Sequence, residues 1–319
     1  EQEEISEMNL LIVNVNVVPD YLKRKLESKF PEISILAAET EDEVGDFIEK
    51  TEILIAGRIS DELLRRAKKL QWIQCQLTGV DYILNQPSLR KDVLLTSARG
   101  IHGPQVSELT FLLMLALGRR FPQVIQNQGK KVWDRWPGKL LWKKKVGILG
   151  VGVIGEEIAR KCKAFGMTVF GIDAIKREID AVDCFFGPGD LLQVLKEVDY
   201  FVNVVPNTPE TQNMIGAREL SAMKPSAFFI NVGRGETVDE EALIKVLRER
   251  KIAGAGLDVY LKEPLPEDSP FWELDNVIVS PHVGGLSDVY ADQVLPIFEE
   301  NLRRFLKGER RDLINFIAR

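Results

Sequence analysis

Arg234, Glu263 and His282 each follow an apolar run that reads as a strand: 228–232, 253–258 and 277–280 respectively. Parallel sheets gather ligands at the carboxyl ends of their strands, so the three side chains are expected at one edge. Their types suit the reduction of a 2-oxo acid. A planar guanidinium such as Arg234 grips a carboxylate and polarises the neighbouring ketone. An imidazole such as His282 delivers a proton near neutral pH, and a carboxylate such as Glu263 beside it favours the protonated ring and fixes its orientation. A lone histidine after a strand is more often structural; the company of an arginine and a carboxylate is what points to chemistry. The other histidine, His102, is expected to pack near a domain crossing or lie at the surface.

A second group of residues handles phosphates. The stretch Lys-Val-Gly-Ile-Leu-Gly150-Val-Gly152-Val-Ile-Gly155 runs from a strand through GxGxxG into a helix over 156–164. Gly150 permits the tight turn, Gly152 lets a pyrophosphate approach the backbone, and Gly155 lets helix and strand pack closely, with the phosphates on the helix N-terminus. A following strand ends in Asp173, 18 residues after Gly155, where a carboxylate accepts ribose hydroxyls. That acid repels a 2'-phosphate, so NAD is expected as cofactor ahead of NADP. Lys176 and Arg177 blur the choice, although they also read as a solvated surface pair. Thr110 divides evenly between a contact to the cofactor and plain burial in a helix over 106–119.

Positioning these residues requires alternating elements. From Asn9, strands at 10–13, 33–37, 53–56 and 72–76 alternate with helices at 19–29, 40–49 and 61–69. A second series follows at 146–149, 169–172, 200–205, 228–232, 253–258 and 277–280. Such alternation argues for two doubly wound parallel sheets covered by helices. The helix pattern over 289–307 has no strand after it apart from a possible edge at 313–316. It is expected to fold back on the first domain, which makes that domain discontinuous, as 1–100 and 286–319 around an inserted 101–285. Trp133, Trp136 and Trp142 are expected to pack under the loop between domains.

Composition closes off other functions. A net charge of −6 gives no global pull on nucleic acid or anionic lipid. Cys75, Cys162 and Cys184 are widely spaced and form no CxxC, so neither a metal site nor a disulfide framework is expected. A reducing, cytoplasmic setting fits, and the longest clean apolar run, 109–117, is about half of a bilayer crossing. Residue 1 is not Met, and residues 1–8 are acidic where a signal peptide is basic; no function is assigned to them.

Across nearly its whole length the chain resembles the D-isomer-specific 2-hydroxyacid dehydrogenases, on their glyoxylate/hydroxypyruvate reductase-like side. The matching blocks are Thr78-Gly-Val-Asp81, Ala98-Arg-Gly-Ile-His-Gly103 through Ser107-Glu108, the fingerprint with Asp173, and Val205-Pro-Asn-Thr-Pro-Glu-Thr211. They continue with Met223-Lys-Pro225 through Asn231-Val-Gly-Arg-Gly-Glu-Thr-Val-Asp239 and Gly256-Leu-Asp-Val-Tyr through Pro281-His-Val-Gly-Gly285. The resemblance implies a flavodoxin-like substrate domain with an inserted Rossmann NAD-binding domain, catalysis in the cleft, and a homodimer built partly by the helix near Val106. It implies Arg234 as substrate clamp, Glu263 as orienting carboxylate and His282 as acid and base. Val153 and Ile154 would meet the pyrophosphate, Val205, Pro206 and Thr211 would line the cofactor, and Val232, Gly233, Arg234 and Asp258 would stand on its nicotinamide side. His282 to Gly285, including Gly284, would run beneath the nicotinamide ring. Thr78 and Gly79 resemble the loop that caps the substrate carboxylate.

Leu77 departs from the family's usual small residue, and Ser97 from its common asparagine. Leu77 either fills space beside the substrate, restricting it to small acids, or packs into the sheet edge. The expected activity is hydride transfer between NADH and a small 2-oxo acid to give the D-2-hydroxy acid. The alternative is an NADH-sensing binding protein of the corepressor type, and formate oxidation is a weaker rival because that branch has glutamine where Glu263 stands.

Overall fold

The computed structural model describes residues 8–15 and 18–319; the acidic segment 1–7 lies outside the described residues. The chain divides into two compact units, residues 1–101 with 286–319 and residues 102–285.

In the first unit β1 (Met8–Val13) leads to α1 (Pro19–Glu27), whose Leu22 and Leu26, four apart, share one buried face. The chain continues through β2 (Ile33–Ala38), α2 (Phe47–Lys50), β3 (Ile53–Ala56) and α3 (Asp61–Arg66), the last capped by Ser60 Oγ, which accepts from the Leu63 amide at 3.2 Å. Then come β4 (Trp72–Cys75), α4 (Asp81–Leu84) and β5 (Leu94–Thr96). All five strands are parallel in the order β2-β1-β3-β4-β5, the flavodoxin-like winding.

The second unit opens with α5 (Gly103–Arg119) and α6 (Phe121–Lys130). It continues with β6 (Lys145–Leu149), α7 (Val153–Ala164), β7 (Thr168–Ile172), β8 (Cys184–Phe186), α8 (Leu191–Glu197) and β9 (Tyr200–Asn203). The rest is α9 (Ala217–Ala222), β10 (Phe228–Asn231), α10 (Glu240–Arg248), β11 (Gly254–Leu257) and β12 (Val277–Val279). Its seven parallel strands run β12-β11-β10-β9-β6-β7-β8. Counted from β6 as first, this is the 3-2-1-4-5-6 Rossmann order with a seventh strand, and its switch point lies between β6 and β9.

The chain then returns to the first unit with α11 (Tyr290–Leu306). Tyr290, Val294, Phe298, Leu302 and Phe305 lie on one buried face of this helix and join the core that contains Leu10, Ile12 and Trp72. Each unit carries two apolar cores, as a doubly covered parallel sheet requires.

The expected fold class is borne out. Several expected details differ. The helix expected over 40–49 is broken: Gly45 at φ 55° separates a turn at Glu41–Glu43 from the four-residue α2. Strands expected to reach Gln76, Val205, Val232, Asp258 and Ser280 end one or two residues earlier, because the chain leaves the ladder there to form loops. The edge at 313–316 is a single antiparallel bridge, Thr96 to Phe316. The packing expected for the tryptophans fails for two of the three. Trp133 is 93% and Trp142 58% exposed; in this segment Leu141 takes the buried position beside Trp142, whose ring lies over Gly166.

Candidate active site

The glycine turn begins where β6 leaves the sheet. Gly150 has φ 94°, a conformation open to glycine and strained for other residues. A Cβ on Gly155 would lie 2.0 Å from the Gly150 carbonyl oxygen, whereas one on Gly152 would meet nothing within 4 Å. Gly155 is thus required for packing, and Gly152 leaves an open cradle at the N-terminus of the 12-residue α7. Of the next two residues, Val153 is exposed beside that cradle while Ile154 packs on the core.

The end of β7 closes the cradle from one side. Asp173 Oδ2 accepts from the Val151 amide at 2.8 Å and Oδ1 from Ile175 at 3.0 Å, so the acid fixes the turn. Lys176 and Arg177 are both exposed, as a surface pair would be, and Arg177 Nη1 lies 3.5 Å from the Val151 carbonyl. On the other side, Val205 after β9 abuts Gly150, and a Cβ on Gly233 after β10 would come 2.7 Å from the Val205 carbonyl oxygen. The ends of four strands, β6, β7, β9 and β10, therefore converge around the switch point. Thr211 stiffens the neighbouring loop, its hydroxyl donating to the Pro206 carbonyl at 2.6 Å and accepting from the Thr208 amide at 2.8 Å. Thr110 is fully buried and its hydroxyl donates to Val106 O one turn back, which matches its reading as part of the helix.

Arg234 is half-buried at the same edge. Its carbonyl accepts from Thr237 Oγ at 2.6 Å and from Asn231 Nδ2 at 3.2 Å, while Asn203 donates to both Asn231 Oδ1 and Thr237 Oγ. Sequence reasoning missed Asn203 and Thr237. The available signal was an asparagine closing the apolar run of β9, since a fully buried amide demands partners.

Glu263 and His282 meet directly: Glu263 Oε2 lies 2.7 Å from His282 Nδ1, and Glu263 Oε1 accepts from the Tyr260 amide at 3.1 Å. A charge-assisted contact of this length fixes the ring and leaves Nε2 as the nitrogen available for proton transfer. His282 sits in the left-handed region at φ 54°, uncommon for a residue with a side chain. Asp258 holds that conformation in place. It is buried, and its carboxylate accepts from Ser280 Oγ at 2.6 Å, Val283 N at 3.0 Å and Gly284 N at 2.9 Å. A Cβ on Gly284 would collide with Asp258, and one on Gly285 would press on the His102 ring at 3.3 Å. His102 is buried rather than exposed; burial, reinforced by the Arg234 charge, pushes it down to about 4, so it stays neutral at pH 7.

In the first unit, Leu77 is half-buried and packs on the core that contains Cys75 and Ile73, in line with its packing reading. Its carbonyl accepts from the Ala98 amide at 3.1 Å, and Thr78 and Gly79 follow in the same loop. Among the described residues no cluster of His, Cys, Asp and Glu could hold a metal ion, and no helix is long and apolar enough to cross a membrane.

The fold and sequence have counterparts among known proteins. The solved structure of NADPH-dependent glyoxylate/hydroxypyruvate reductase from Sinorhizobium meliloti, in complex with NADP and sulfate, matches with a TM-score of 0.83 at 28% identity, over 97% of this chain and 98% of that one. Glyoxylate reductase of Korarchaeum cryptofilum is 33% identical over 262 residues, 80% of this chain and 79% of that enzyme. D-3-phosphoglycerate dehydrogenase of Methanocaldococcus jannaschii is 32% identical over 291 residues, 89% of this chain; the match spans only 55% of that enzyme's length. The family model for the NAD binding domain of D-isomer specific 2-hydroxyacid dehydrogenases matches residues 111–284. With this match across more than half of its length, the chain belongs to the D-isomer specific 2-hydroxyacid dehydrogenase family.

Proposed function

We propose that the chain is a D-2-hydroxyacid dehydrogenase that reduces a small 2-oxo acid such as glyoxylate or hydroxypyruvate to the D-2-hydroxy acid. The observation that carries this reading is the 2.7 Å contact between Glu263 and His282 at the sheet edge that also bears Arg234. The open cradle at Gly152, with Gly150 and Gly155 around it, fits a dinucleotide pyrophosphate. Gly150, Gly152, Val153, Ile154 and Gly155 would hold the phosphates and Asp173 the adenosine ribose. Val205, Pro206, Thr211, Val232, Gly233, Asp258, Gly284 and Gly285 would form the walls toward the nicotinamide. When bound, the reduced nicotinamide supplies the hydride. Arg234 holds the substrate carboxylate and polarises the ketone. His282 delivers a proton from Nε2 to the ketone oxygen, and Glu263 keeps the ring oriented and offsets its charge.

Asp173 favours NADH, whereas Arg177 lies close enough to the fingerprint turn to tolerate a 2'-phosphate, and a relative holds NADP. NADH is proposed as the preferred cofactor and NADPH as a poorer one. Three free cysteines, two of them buried, support a reducing cytoplasmic setting, and the net charge of −6 gives no support for a nucleic acid partner. Exposed apolar residues on α5 and α6 support a homodimer. No observation favours the sensing reading over turnover.

The test is a panel of short 2-oxo acids with NADH and, in parallel, NADPH, read by absorbance. Turnover is expected with at least one acid, and His282→Ala is expected to lower kcat by about 10²–10⁴-fold while NADH still binds. No turnover across the panel, or full activity in His282→Ala, would refute the proposal.

A further inference from the structure

Glu240, the first residue of α10, lies outside every motif considered above. Its Oε1 accepts from the Leu261 amide at 2.5 Å, two residues before Glu263. The same stretch of backbone is pressed from the other side by the turn after Arg234. A Cβ on Gly235 would come 2.0 Å from Tyr260 C and 2.5 Å from Leu261 N, so the two loops touch backbone to backbone. The Tyr260 hydroxyl ties the loop to the strand ends: it lies 2.8 and 3.0 Å from the Leu257 and Ser280 carbonyls, which share its one hydrogen, and accepts from the Ser280 amide at 3.1 Å. The loop that carries Glu263 is therefore anchored at Tyr260 and Leu261, and the Leu261 anchor is a side chain from a different element.

We propose that Glu240 is a positioning residue for the reaction: by accepting from the Leu261 amide it holds the 258–263 loop against the Arg234 turn and keeps Glu263 on His282. The inference rests on the functional reading given above. What the site uses is the acceptor oxygen and not the negative charge. The ionisable groups facing Glu240 are Glu236 from the turn after β10 and Tyr260 and Glu263 from the loop after β11. Burial, and then the charges of Glu236 and Glu263, hold Glu240 above the usual carboxylate range. A glutamine keeps the acceptor without that cost; an alanine loses the acceptor and leaves the Leu261 amide without it.

For a carboxyl raised on folding, the folded state binds more protons in the window between the unfolded and folded values, so its destabilising effect grows as pH rises through that window and persists above it. Glu240→Gln is therefore expected to raise Tm at pH 8, the gain closing below about pH 4, where the group is protonated in both states.

The test compares the full-length chain with Glu240→Gln and Glu240→Ala. Glu240→Gln is expected to keep kcat within about twofold, and Glu240→Ala to lose about tenfold or more in kcat with NADH affinity unchanged. Hydrogen exchange at the Leu261 amide, expected to be protected in the wild type and in Glu240→Gln, supplies a reading that survives a poorly folding alanine variant. Wild-type kcat in Glu240→Ala, an equal loss in Glu240→Gln, or an unprotected Leu261 amide would each overturn the role of Glu240. A wild-type chain inert on every acid instead refutes the functional reading itself, and the role of Glu240 with it.

Discussion

At His282 the backbone takes a φ of 54°, and the residues around it show why that conformation persists. Asp258 accepts from three donors on the 280–284 segment, while Gly284 leaves room for the Asp258 carboxylate. A strained backbone survives only where its surroundings over-determine it. Gly155 shows the opposite economy: no side chain is tolerated. Alanine there would add about 1 kcal/mol of helix propensity, but its Cβ would sit 2.0 Å from the Gly150 carbonyl oxygen, a clash with backbone that only movement of the turn relieves. The clash outweighs the propensity. Gly155→Ala is expected to weaken NADH binding at least about tenfold in a fluorescence titration, since the phosphate cradle must shift; unchanged affinity would show that the turn yields without distortion.

Among the elements, α11 has the clearest energetic role. Its buried face completes one of the two cores of the first unit, and Phe305 stacks on Trp72 with ring centroids 5.2 Å apart. A helix reached only after 184 intervening residues of another unit is thus held by side-chain burial, with Asn301 adding hydrogen bonds to Gln74 and to the 314 backbone. Phe298, 1% exposed, is expected to cost about 3–5 kcal/mol when replaced by alanine. Denaturant unfolding followed by circular dichroism measures it, and a loss under about 1 kcal/mol would mean that the helix is dispensable to that core.

For the whole molecule the open question is assembly. Leu112, Leu115, Phe121, Val124, Ile125, Val132 and Trp133 are exposed along α5, α6 and the segment after them. Exposed apolar residues in such a group mark an interface more often than a solvated surface. Light scattering after gel filtration is expected to give twice the 36.1 kDa chain mass, and Leu112→Glu with Ile125→Glu to give the single mass. A wild-type monomer would refute the dimer.

The sequence by itself determined the fold class and marked Arg234, Glu263, His282 and the glycine fingerprint as candidates, but not Asn203, Thr237 or Glu240. Periodicity marks a strand wherever four or more apolar residues run together, and GxGxxG, Asn-Val-Gly-Arg-Gly and Ser-Pro-His are local patterns whose spacing survives without coordinates. Three-residue strands such as β5 and β8 are too short for a period to show, and α6 carries too mixed a pattern to stand out. Only the tertiary structure decided that Trp133 is uncovered by its own chain, that Arg177 Nη1 comes 3.5 Å from the Val151 carbonyl, and that Glu240 reaches the Leu261 amide. Those facts depend on which strand ends and helix termini become neighbours, and contacts between residues distant in the chain leave no local signature in residue order.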